Sequence, residues 1–107
     1  MNILPLPLPV ARALQKLARD ISLARRRRRL TQAALAQRSG VSERSVRRLE
    51  SGDPGCSLEN LARILQVLGE IERLERLFDT GTDTLGLLLM DEALPRKIRP
   101  RKSSGAT

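Results

Sequence analysis

The stretch from Thr31 to Gly52, TQAALAQRSGVSERSVRRLESG, constrains this chain more than any other segment. Thr31 is a good N-cap, because its hydroxyl can accept from an amide that the first helical turn leaves unpaired. It predicts a helix over residues 32–39, with Leu35 and Ala36 turned inward. Gly40 stands where a helix ends and the backbone must turn left-handed, a conformation glycine adopts without penalty. Ser42 then caps a second helix over residues 43–51. Glu43 suits the positive end of that helix dipole, Val46 and Leu49 point inward, and Gly52 stops it. The chain carries no sheet signal of substance and no internal repeat, so the domain is expected to be all-α.

The flanks agree. Pro5, Pro7 and Pro9 deny helix to the start, which is read as an extended arm over residues 1–9. A long helix follows from about Val10 to Arg28, with Leu14, Leu17, Ile21 and Ala24 on one face. Beyond a loop at 53–56, Ser57 caps a fourth helix whose expected apolar face is Leu58, Leu61, Ala62, Leu65 and Leu68. Gly69 interrupts. A fifth helix is expected over 70–78, with Ile71, Leu74, Leu77 and Phe78 inward. Residues 80–83 read as a loop. Residues 84–92, which include LGLLLM, read either as a short helix capped by Asp83 or as a strand. The expected organisation is an arm at 1–9, a five-helix domain at 10–79, a short apolar segment at 80–94, and a basic, disordered tail at 95–107.

Composition narrows the class. Phe78 is the only aromatic residue of the 107, so the core must be aliphatic, and a core this small gains from dimerisation. No apolar run approaches the length of about 20 residues that spans a bilayer, so no membrane partner is expected. The proline-broken start does not read as a signal peptide. Cys56 is the single cysteine and histidine is absent, which excludes an internal disulfide, His-based catalysis and most zinc sites. No cofactor, no metal and no enzymatic activity are expected.

Charge is segregated. Residues 1–48 carry 12 basic and 2 acidic side chains, residues 49–94 carry 3 and 10, and residues 95–107 carry 5 and none. The basic half points to a polyanion, and the acidic middle to solvent or to a different partner. On the 43–51 helix, Glu43, Arg44, Arg47 and Arg48 face away from Val46 and Leu49. An arginine can donate two parallel hydrogen bonds to guanine O6 and N7, worth ~1–3 kcal/mol of discrimination. Gln32 and Ser42 sit at helix N-termini, where amides and short polar side chains hold phosphates. Arg47 and Arg28 are further candidates for phosphate contact. Glu43 either accepts from a cytosine amino group or pairs with Arg47 one turn on. In the run Arg25–Arg29, the arginines after the first are phosphate contacts or solvated.

The residues Thr31-Gln32, Leu35-Ala36, Gly40-Val41-Ser42, Val46 and Leu49-Glu50-Ser51-Gly52 resemble the pattern of the XRE (Cro/phage-repressor-like) helix-turn-helix family. The resemblance runs from about Leu17 to Phe78. It implies a five-helix fold that binds double-stranded operator DNA as a homodimer, with half-sites about one helical turn (~34–36 Å) apart. It implies that Glu43, Arg44 and Arg48 face base edges and that Gln32 and Ser42 lie near phosphates. It also implies a structural ion pair between Arg25 and Glu50.

The downstream stretch, LARILQVLGEIERLERLFD followed by TDTLGLLLMDEALPRKIRPRK, is similar to the HipB-type antitoxins that accompany HipA-like kinase toxins. That similarity implies a cytoplasmic, nucleoid-associated bacterial repressor that controls its own promoter and restrains a kinase toxin. A repressor without a toxin, and an interaction module that no longer binds DNA, are the other readings. The LGLLLM segment either closes a core or dimer seam, or meets the toxin. The basic tail reaches DNA, touches a partner or is degraded.

Overall fold

The computed structural model describes residues 4–89, and among them the chain is all-helical, with no strand. It divides into two compact units, residues 1–74 and residues 75–107. The expectations for the end of the apolar segment and for the basic tail lie outside the described residues.

Helix α1 spans Leu8–Arg27, α2 Gln32–Ser39, α3 Glu43–Glu50, α4 Leu58–Leu68 and α5 Ile71–Glu75. The three expected N-caps form. The hydroxyl oxygens of Thr31, Ser42 and Ser57 accept from the amides of Ala34, Ser45 and Asn60 at 2.9, 3.1 and 3.0 Å. Each satisfies a donor that the first helical turn cannot satisfy itself. Gly40 closes α2 in the left-handed region, at φ 74°. Two residues then carry the chain into α3.

Helix α1 starts at Leu8, two residues earlier than expected from Val10. Pro9 falls in its first turn, where a missing amide hydrogen costs nothing because that hydrogen has no helical acceptor. At the other end the amide of Leu30 donates to the Arg25 carbonyl and that of Arg29 to the Arg26 carbonyl, at 3.2 and 2.9 Å. This Schellman closure puts Arg29 at φ 57°, where glycine is the usual occupant.

The core of the first unit draws one or two residues from each of four helices. Ile21, Leu35, Ala36, Val46, Leu49, Ile64 and Leu68, with Val41 from the turn, form one buried cluster. Leu17, Ala24, Cys56, Leu61 and Val67 pack against it. Leu35, Val46 and Ile64 are fully buried. Burying a side chain of this size is worth roughly 1.5–3 kcal/mol, so these residues set the angle between α2 and α3. Ser39 is the one buried polar residue among those described, and its hydroxyl donates to the Leu35 carbonyl at 2.7 Å.

Two expectations about the later helices are corrected. Leu58 does not face the core. It is 69% exposed, at the lip of an open apolar depression of about 150 Å3 lined by Leu14, Leu17, Leu49 and Leu61. Ile64 takes the central place instead, because packing against α2 fixes the rotation of α4. Helix α5 is also shorter than expected and ends at Glu75. Leu77 and Phe78 are 77% and 74% exposed, so no burial repays extension of the helix over them.

In the second unit a 3-10 turn, Thr80–Thr82, is capped by the Asp79 carboxylate, which accepts from the Gly81 amide at 2.9 Å. A six-residue helix, α6, follows over Thr84–Leu89. The apolar segment is therefore helical where it is described, and Leu85, Leu87, Leu88 and Leu89 are all exposed.

Candidate nucleic-acid interface

Val46 and Leu49 bury one side of α3, and the opposite side carries Glu43, Arg44, Arg47 and Arg48, all exposed. Residues three and four apart share a helical face. The polar residues therefore fall in one continuous arc, three cations and one anion on a helix two turns long. A major groove about 12 Å across admits a single α-helix of this kind.

The four polar residues differ in their partners. Arg47 donates to the Glu43 carboxylate at 2.7 Å, so the local pair forms. Both side chains are about half exposed, and a pair of this kind is worth ~0–1 kcal/mol and opens easily. Arg44 has no ion pair among the described residues. Arg48 donates through Nε to the Asp53 carboxylate at 2.8 Å. The Arg48 hydrogen bond and then the Gly55 amide hold the Asp53 carboxyl below its ordinary value, and Asp53 in turn raises Arg48. The pair is fully charged at neutral pH.

Below this face lies a structural pair. Arg25 of α1 donates through Nε and a terminal nitrogen to the two Glu50 oxygens, at 2.6 and 2.9 Å. Their side chains are only 11% and 5% exposed. Gln32 adds a bond from its amide nitrogen to Glu50 at 3.0 Å, and Arg25 also donates to the Leu30 carbonyl at 2.7 Å. Burial works to raise the Glu50 carboxyl, but hydrogen bonds from Arg25 and Gln32 and the Arg25 charge outweigh it and leave it below its ordinary value. The network ties the end of α1, the start of α2 and the end of α3 together.

Of the other predicted residues, Gln32 stands half-buried at the first turn of α2, engaged with Glu50 as described. Ser42 caps α3, and its hydroxyl also donates to Ser45 at 2.9 Å. Arg28 donates to the Ala24 carbonyl at 2.7 Å and approaches Glu70 at 3.4 Å. Arg44, Arg47 and Arg48 are thus gathered on one face, whereas Arg28 lies at the end of α1. The sequence pattern alone does not single out Asp53. Its signal was the Asp-Pro-Gly turn just after an arginine-bearing helix, which places a carboxylate five residues beyond Arg48.

Among the described residues no cluster of His, Cys, Asp or Glu is arranged to hold a metal ion, and no helix is long and apolar enough to cross a membrane. Burial pushes the Cys56 thiol above its ordinary value, so little thiolate forms at neutral pH.

Two helices at a tight turn, the second with a packed side and an arginine-rich side, define a helix-turn-helix DNA-binding regulator. The chain belongs to the XRE-like helix-turn-helix family: a family model described as a helix-turn-helix domain matches residues 16–80. No curated protein and no solved structure matches it.

Proposed function

We propose that this protein is a sequence-specific transcriptional repressor that binds operator DNA as a twofold dimer and inserts α3 into the major groove. The observation that carries the reading is the exposed arc Glu43, Arg44, Arg47 and Arg48 on a helix whose other side is locked into the core. In this reading Arg44 and Arg48 donate to guanine edges. Glu43 either accepts from a cytosine amino group or stays on Arg47. Ser42, Gln32, Arg47 and Arg28 contact phosphates through charge, amides and short polar groups. Selection from a random duplex library tests it. A symmetric site with half-sites about one turn (~34–36 Å) apart is the expected product, and a failure to enrich any sequence contradicts the proposal.

A second activity is favoured by the exposed leucines of α6 and the acidic residues that follow α3. Leu85, Leu88 and Leu89 are each at least 60% exposed, and apolar side chains gathered in this way mark a protein-binding surface. In this reading the protein is also the antitoxin of a HipA-like kinase toxin, with repression and toxin binding in one chain. Pull-down from native host extract, with and without the selected DNA, tests it. A co-purifying kinase supports the antitoxin reading. Recovery of the protein alone supports a repressor without a toxin.

A further inference from the structure

Asp53 contacts Arg48 at the end of the exposed, arginine-bearing side of α3. It lies three residues past the end of α3, and both of its carboxylate oxygens are engaged. Oδ2 accepts from Arg48 Nε at 2.8 Å, and Oδ1 accepts from the Gly55 amide at 2.7 Å. Its own amide donates to the Arg48 carbonyl at 3.1 Å. One residue thus grips Arg48 by backbone and side chain together. Gly55 contributes space: a Cβ there would stand 3.2 Å from the second terminal nitrogen of Arg48. The guanidinium therefore rests against the bare backbone of the loop.

The chemistry of the grip matters. A guanidinium has five N–H donors, and this contact uses the one on Nε. The two terminal nitrogens remain for an acceptor pair, which is the edge that meets guanine O6 and N7. A long side chain held in one geometry before binding loses less entropy on docking. A carboxylate beside a DNA-facing helix otherwise works against binding, because it repels phosphate. The two effects have opposite signs, so removal of the charge distinguishes them.

We propose that Asp53 is a positioning residue for base reading: it holds Arg48 by Nε so that the terminal guanidinium edge is presented to a guanine. The inference rests on the reading of Arg48 as a base-contacting residue. It adds a specificity role for a loop residue that makes no contact with DNA itself.

The test compares the full chain with its Asp53→Asn, Asp53→Ala and Arg48→Ala variants. Each is titrated against a library-selected duplex and against duplexes carrying every single-base change in it. Asparagine can still accept from the Gly55 amide, which preserves the turn, but turns an N–H donor toward Arg48 Nε. Melting temperature close to the parent's for Asp53→Asn shows that the loop is intact. Arg48→Ala identifies the base pair that Arg48 reads, as the position where preference relaxes. At that same position, both Asp53 variants are expected to lower the preference for guanine by about fivefold or more, out of the range that a bidentate pair carries. Preference there equal to the parent's overturns the inference, as does tighter binding by the Asp53 variants across all duplexes. If Arg48→Ala relaxes no position, the base-reading role of Arg48 fails, and the role of Asp53 falls with it.

Discussion

Glu50, at the end of α3, receives two hydrogen bonds from a single guanidinium, that of Arg25, 25 residues earlier at 2.6 and 2.9 Å. The two side chains are nearly closed to solvent, and Gln32 completes the carboxylate shell. This pair joins α3 to the long helix α1, so α3 is held at a fixed angle.

Removal of one partner leaves the other charge buried and unmatched, which typically costs about 3–5 kcal/mol. Glu50→Ala is therefore expected to destabilise the domain by about that amount in a urea titration, whereas the double change Arg25→Met with Glu50→Leu costs much less. The pH dependence follows from the lowered carboxyl of Glu50. Its contribution is complete above the unfolded value of 4.5 and is lost as pH falls below that toward the folded value. The stability difference between the parent and Glu50→Gln is expected to shrink as pH drops from neutral through that window. A difference that does not change with pH contradicts the assignment.

Arg29 occupies a left-handed position, at φ 57°, where a Cβ costs about 1–2 kcal/mol. Glycine there gives back part of that gain as backbone entropy, about 0.5–1 kcal/mol. Arg29→Gly is expected to raise stability by about 0.5–1 kcal/mol, which for a domain of this size lifts the melting temperature by a few degrees. A lowered melting temperature counts against the Schellman closure as described.

The rotation of α4 is open to a paired test. Ile64 is fully buried and Leu58 is mostly exposed. Ile64→Ala is expected to cost about 2–5 kcal/mol, while Leu58→Ala stays within about 0.5 kcal/mol. Equal losses would mean that the apolar face of α4 is turned differently.

The contrast between those two residues shows what was legible in the sequence. The caps at Thr31, Ser42 and Ser57 and the turn at Gly40 are decided within a few residues, so a local reading finds them. Val46 and Leu49 are legible for a related reason: α3 is so polar elsewhere that its packed side has no competitor. Ile64 and Leu65 are adjacent and both apolar, and the choice between them is made by α2, which periodicity cannot see. Leu77 and Phe78 have the right spacing for a buried face but no cover within the described chain. The Arg48–Asp53 contact depends on how the loop folds back, so its geometry was hidden although both residues were in view.

Leu77 and Phe78 also remain exposed, and side chains of this kind are expected to be covered by a second copy in the dimer proposed above. Phe78→Ser is expected to shift sedimentation toward the monomer and to weaken operator binding. Melting of residues 4–74 should change little. A parent that sediments as a monomer at micromolar concentration contradicts this assignment.

In the proposed function α3 reads bases through Arg44 and Arg48. The most direct measurement is the affinity ratio between a selected operator and an unrelated duplex, for the parent and for Arg44→Ala combined with Arg48→Ala, at one fixed salt concentration. At ~1–3 kcal/mol per bidentate contact, the double variant is expected to lose about 2 kcal/mol or more of that discrimination while it still binds both duplexes through phosphates. A double variant that keeps the parent's ratio would show that these arginines do not read the sequence.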